Sequence, residues 1–224
     1  MSISSRFGRR AMCTGAIVAA ASIWSVAAAT AAPPSARNLA DPQFTPATTT
    51  AVRLTSAKRS AVSAVLVREL ALARMATAKY VSDLKRAKAD GYVIITKMIP
   101  NMGYHFLNPK VKGFDVRKPA ILVYEHQGTR WQLGAVEWVY PSKPAKAPLP
   151  GAKFGTFGAA CHYVDGTFVP EDSQDLCPKA SPQTGATFAF WHPLLYTMHV
   201  WLWYPNPSGL FASLNPLVAP FDKG

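Results

Sequence analysis

Residues 56–91 read SAKRSAVSAVLVRELALARMATAKYVSDLKRAKADG, with neither Gly nor Pro before the final position. Val62, Leu66, Leu70, Ala73, Thr77, Tyr80, Leu84 and Ala87 recur at spacings of three and four. On a helical wheel they form one stripe about 100° wide, as for a helix with a single buried face. Lys58, Arg68, Arg74, Lys79, Lys85 and Arg86 fall outside the stripe, where water can take them. Thr55 or Ser56 supplies an N-cap, and Gly91 a C-terminal stop. The expectation is one long helix over residues 56–89.

Beyond Gly91 the period changes from helical to alternating, with many β-branched and aromatic residues. Strands are expected over Tyr92 to Lys97, Gly103 to Leu107, Ala120 to His126, Trp131 to Tyr140, Thr187 to Trp191 and Met198 to Tyr204. Gln127-Gly128-Thr129-Arg130 suits a short hairpin connection between the third and fourth. Pro141 to Lys153 holds four prolines and three lysines and reads as a loop. Asn206-Pro207 and Asn215-Pro216 mark turns in the tail. The fold class this implies is α+β: one long N-terminal helix packed on a mostly antiparallel β-sheet with long loops, in a single domain over residues 55–224.

Upstream of the helix the chain changes character. MSISSRFGRR carries three arginines and no acid, an apolar run follows from Ala11 to Ala29, and Ala29-Thr30-Ala31 supplies small residues for cleavage after Ala29 or Ala31. That layout predicts a secretory signal over residues 1–31 and hence a secreted or periplasmic protein. Arg9-Arg10 lacks the Phe-Leu that usually follows a twin-arginine pair, and Cys13 lacks a lipid-attachment context. Residues 32–54, rich in Ala, Pro and Thr, read as a flexible leader. Hydrophobic residues make up 49% of the chain and charged ones 16%, enough apolar surface to exclude a disordered or coiled-coil protein. No later segment is apolar for long enough to cross a membrane, so none is expected in the mature chain. Without the signal, 21 basic residues face 12 acidic ones, a net charge of +9.

Export also leaves two cysteines, Cys161 and Cys177, which in an oxidising compartment read as a disulfide. A thiolate metal pair is the competing reading, with no partner pair at zinc spacing. The loop they close holds Asp165, Glu171, Asp172 and Asp175, a set that matches no calcium loop and reads as solvated.

Candidate chemistry lies on the strands. In WQLGAVEWV, alternation puts Glu137 on one face with Trp131, Leu133, Ala135 and Val139, an apolar setting in which a carboxylate needs a partner. In HVWLW, His199 shares a face with Trp201 and Trp203; in GYHFL, His105 faces away from Tyr104 and Phe106. If their strands are neighbours, His105, Glu137 and His199 converge on an aromatic-lined pocket. Two histidines and a carboxylate are a minimal ligand set for zinc, copper or non-haem iron, though their wide sequence separation lacks the fixed offsets of a true metal motif. A metal-free acid–base or small-ligand site and a purely structural hydrogen-bonded Glu are the alternatives. Glu125 and Trp201 stand as outer ligand-binding candidates. His126 adjoins Glu125 on a strand, so at most one of that pair can join a site. His162 and His192 read as exposed or capping. The tryptophan rows read as core rather than as a stacking surface.

Positive charge could suggest nucleic acid, but no binding motif accompanies it, and an exported chain meets other anions: phospholipid headgroups and phosphate-bearing wall polymers. No G-x-S-x-G elbow, no P-loop and no unpaired cysteine nucleophile is present in the mature sequence.

Five strings, ATAKYVSDLKRAKADGY (76–92), MGYHFLNP (102–109), KPAILVYE (118–125), GAVEWV (134–139) and HVWLWYPNPSGLFASLNP (199–216), together resemble a group of exported bacterial proteins. The resemblance spans roughly residues 70–216 and implies a shared secreted α+β domain; it brings no activity, substrate or cofactor with it. His105, Glu125, Glu137 and His199 lie inside those strings; the Cys161–Cys177 loop lies outside. The functional expectation is therefore a metal- or small-ligand-binding domain with a His/Glu site on the sheet, its metal, if one binds, a divalent ion such as zinc or copper. The alternative is an envelope-binding or structural protein that uses the basic helix flank and the Pro141–Lys153 loop to hold anionic polymers.

Overall fold

Nine strands and short helical segments build the part of the chain described by the computed structural model, residues 63–222. The expected signal (1–31), the leader (32–54) and the first turns of the expected helix lie outside the described residues.

The single long helix is corrected. Helix α1 occupies residues 63–77 and tightens into a 3-10 turn at Ala78–Tyr80; the chain then breaks at Ser82-Asp83, and a separate short helix α2 spans Leu84–Ala89. Tertiary partners cause the break. The Tyr80 carbonyl accepts the Tyr124 hydroxyl at 2.7 Å, and the Val81 carbonyl accepts the Leu133 amide at 2.8 Å, so both turn toward the sheet. Thr77 adds to the bend by donating its hydroxyl back to the Ala73 carbonyl at 2.8 Å. Asp83 then caps α2 by accepting the Arg86 amide. The buried stripe survives the interruption, since Ala73, Thr77, Tyr80, Leu84 and Ala87 are all buried.

The described residues are therefore mostly β rather than a long helix laid on a sheet. Strands β1 (Val93–Ile99), β2 (Gly103–Leu107), β3 (Ile121–Gln127), β4 (Arg130–Tyr140), β5 (Gly155–Phe157) and β9 (Leu195–Val200) form a six-stranded sheet in the order β1-β2-β3-β4-β9-β5. Every pairing in it is antiparallel. The expected disulfide loop instead folds into two short strands, β6 (Ala160–Tyr163) and β7 (Phe168–Pro170), which join β8 (Phe188–His192), where a strand was expected, in a second sheet of order β7-β6-β8. The Cys161–Cys177 disulfide is formed and ties β6 to the far end of that segment.

The two sheets are stitched at the β1 edge. Ile95 and Lys97 turn their outward backbone groups to the smaller sheet: the Ile95 carbonyl accepts His162 Nδ1 at 2.7 Å, and the Lys97 amide donates to the Gly166 carbonyl at 2.7 Å. Gly166 is required there, because it holds φ +83° and a Cβ would lie 2.8 Å from Ile94. Edge groups that would otherwise recruit another strand are thereby satisfied.

The larger sheet has two unlike faces. Leu122, Tyr124, Phe106, Val136, Trp138, Met198 and Val200 pack into one core with the α1 and α2 stripe. The opposite face carries Ile95, Ile121, Val123, Ala135 and Trp201, together with the polar side chains of interest. A bulge moves part of β4 between them. Ala135 pairs with Val123 but Leu133 pairs with Tyr124, so Gly134 is the extra residue. Leu133 and Trp131 consequently join the helix-side core, not the Glu137 face assigned to them by simple alternation. Trp203 departs from the His199 face for a related reason: β9 ends at Val200, and the Trp203 indole donates to Thr77 Oγ1 beside α1 at 3.1 Å.

Candidate functional site

Strand order brings the three expected residues together. Glu137 on β4 stands directly opposite His199 on β9, and His105 on β2 reaches across β3 to place Nε2 3.9 Å from Glu137 Oε2. The His105 and His199 rings are 6.5 Å apart between centroids. All three side chains are buried. They line a cavity of about 960 Å³ between the two sheets, whose remaining walls are largely apolar, including Ile95, Val139, Phe157, Phe168 and Phe190.

Burial sets the charge state of this cluster. It pushes the Glu137 carboxyl up to about 7, with a Thr197 hydrogen bond pulling the other way. Burial likewise holds His105 down at about 4, with a Gly103 backbone hydrogen bond opposing and His162 adding to the shift, and holds His199 down at about 3, with His105 adding to it. Near neutral pH the imidazoles are uncharged and Glu137 is divided between acid and carboxylate, so the close His105–Glu137 approach is not a salt bridge. His105 is oriented by Thr96, whose Oγ1 lies 2.8 Å from Nδ1.

The hydrogen-bonding account of the cluster does not close. Neither ring nitrogen of His199 has a protein partner. Most buried polar groups in proteins are paired, so an imidazole with both nitrogens unpaired in the wall of a hollow is informative. Among the described residues, no three His, Cys, Asp or Glu side chains are placed to enclose a metal ion.

Glu125 and Trp201 do not line this cavity. Trp201 is buried, packs 4.9 Å from the His199 ring and donates its indole N–H to the Ala212 carbonyl at 2.7 Å. Glu125 is buried with both oxygens unpartnered and borders a separate hollow of about 590 Å³ with Tyr204 and Phe221. Burial, helped by Asp222, pushes its carboxyl up to about 8. Gly103 leaves room for it, since a Cβ there would meet Glu125 Oε1 at 2.8 Å.

His162 and His192, read from the sequence as exposed or capping, are buried in the wall of the larger cavity. Their strand context held a usable signal: Phe188, Phe190 and His192 alternate, so an apolar face of β8 runs straight into His192.

No family model, curated protein or solved structure matches the chain. What can be said about function therefore comes from the cavity and its walls. Among the described residues, no helix is long and apolar enough to cross a membrane.

Proposed function

We propose that this is an exported binding domain for a small, largely apolar molecule carrying one hydroxyl or carbonyl head group. The carrying observation is the unpartnered buried ring of His199, beside Glu137 and His105, at a cavity otherwise walled largely by hydrocarbon. A cavity of about 960 Å³ is at the upper end of ordinary small-molecule sites, which run to roughly 1,000 Å³. Neutral His199 offers one donor and one acceptor on opposite edges of its ring, and Glu137 when protonated offers a second donor; a hydroxyl can bond one nitrogen of the ring together with Glu137. Export is supported by the signal-like N-terminal sequence and by the disulfide.

A fluorescent phenol tests the reading. 2-Naphthol should bind the protein, and naphthalene should bind at least about tenfold more weakly, the worth of one net hydrogen bond. His199→Leu should erase the difference between the two probes. Equal affinity of both for the parent protein would overturn the proposal.

A further inference from the structure

The walls of the same cavity hold a second arrangement, on the smaller sheet. His162 on β6 pairs with Phe190 and Ala160 pairs with His192 on β8, so the two histidines are diagonal neighbours on one face. Each ring is pinned through Nδ1: His162 to the Ile95 carbonyl at 2.7 Å, and His192 to the Pro193 carbonyl at 2.6 Å. A carbonyl oxygen only accepts, so in both rings Nδ1 carries the hydrogen and Nε2 is left with its lone pair. Those two bare nitrogens face each other 3.0 Å apart. Two neutral rings so held set lone pair against lone pair, an arrangement that a cation bound by both would relieve.

We propose that His162 and His192 chelate a divalent transition-metal ion, Cu²⁺ in preference to Zn²⁺, through their Nε2 atoms. With metal–nitrogen bonds near 2.0–2.1 Å, the observed separation subtends about 95° at the metal, the angle between adjacent ligands of a tetragonal copper site. Copper(II) also binds nitrogen ligands more tightly than zinc does. Metal-bound histidines characteristically donate the other ring N–H to a carbonyl or carboxylate, which fixes tautomer and orientation, and both rings already do so. A shared proton is the competing cation. The His162 ring is further fixed by stacking on Phe190, with centroids 4.7 Å apart and planes 10° apart. No third His, Cys, Asp or Glu completes the set among the described residues, so the remaining coordination positions open to the cavity, for water or for a bound molecule. The inference uses other residues than the head-group proposal and stands without it.

The test is calorimetric titration of the full exported chain, stripped of metal by a chelator, with Cu²⁺ and separately with Zn²⁺ against a glycine competitor. One equivalent of Cu²⁺ should bind, more tightly than Zn²⁺, and its electron paramagnetic resonance spectrum should carry hyperfine coupling from two imidazole nitrogens. His192→Ala should weaken Cu²⁺ binding by more than the roughly 10–100-fold that loss of an outer partner costs. His162 also secures the β1 edge, so His192 is the safer site to alter, and an unchanged circular dichroism spectrum checks the fold. His126→Gln, altering a partly exposed histidine stacked on Trp131, should leave binding unchanged. Copper binding that His192→Ala does not weaken would overturn the proposal. So would a pair that takes up one proton, seen by ring NMR, with no effect of either metal.

Discussion

The two faces of the six-stranded sheet are built on opposite terms. Trp138 and Glu137 are adjacent in β4 and point to opposite sides. Trp138 is wholly buried against the helix-side core, with its indole N–H given to the Asp115 carbonyl at 3.0 Å. Glu137 is buried too, yet it looks into a cavity beside a histidine whose nitrogens bond to nothing in the protein. One face gathers apolar area and, at Trp138, closes its hydrogen bond. The other leaves polar groups buried and unmatched, which costs stability and is best understood as the binding surface.

The largest effect expected from this contrast is on the packed side. Trp138→Ala should cost about 3–5 kcal/mol in denaturant unfolding, whereas Glu137→Gln next to it should change stability by less than about 1 kcal/mol. A comparable loss at both positions would erase the distinction between the faces. Next in size is the smaller sheet, which forms one wall of the cavity. Replacing Cys161 and Cys177 by Ser should destabilise it by about 3 kcal/mol on the chain-entropy account, with hydrogen exchange rising first in β6 and β8.

A pH scan separates the faces further. Glu125 has its folded-state pKa raised to about 8 by burial, with Asp222 adding to it and Tyr204 nearby. A raised pKa means that the folded state holds the proton more tightly, so its stabilising effect is complete at low pH and is lost as pH rises through 8. Stability should therefore fall between about pH 6.5 and 8, on the order of 1 kcal/mol per unit for each such group, with Glu137, raised to about 7, adding to the lower part of that limb. Below pH 6.5 the buried histidines, with depressed pKa values, oppose the trend. Glu125→Gln should flatten the upper limb; an unchanged slope would show that another group sets it. The smallest effect concerns the exterior. Lys143, Lys146 and Lys153 are exposed on the Pro141–Lys153 loop, and any hold on phosphatidylglycerol vesicles should disappear at about 0.5 M salt, where charges are screened within a few ångströms. Salt-independent sedimentation would count against an electrostatic attachment.

What the sequence revealed, and what it hid, follows the range of the interactions. β2 was legible to the residue, because GYHFL alternates between two turn signals. The buried stripe from Ala73 to Ala87 was legible too, but the break within it was not: it depends on Tyr124 and Leu133, some fifty residues downstream, claiming the carbonyls of Tyr80 and Val81. Strands β5 and β7 are three residues each and β6 four, too short for a period to register. The meeting of His105, Glu137 and His199 required knowing that β3 separates β2 from β4 and that β9 returns beside β4, a matter of topology and not of local pattern. His162 was hidden by its neighbour: placed next to Cys161, it looked like part of a loop, while its strand came from pairings with β7 and β8.

The central claim is that the cavity face keeps its unmatched polar groups for a ligand and not for the fold. Denaturant unfolding of His199→Leu tests it most directly, because leucine fills similar space and removes two buried nitrogens that bond to nothing in the protein. The account predicts stability equal to or above the parent's, by up to about 1–2 kcal/mol. A variant less stable by a similar margin would mean that His199 is part of what holds the sheet together, and would contradict it.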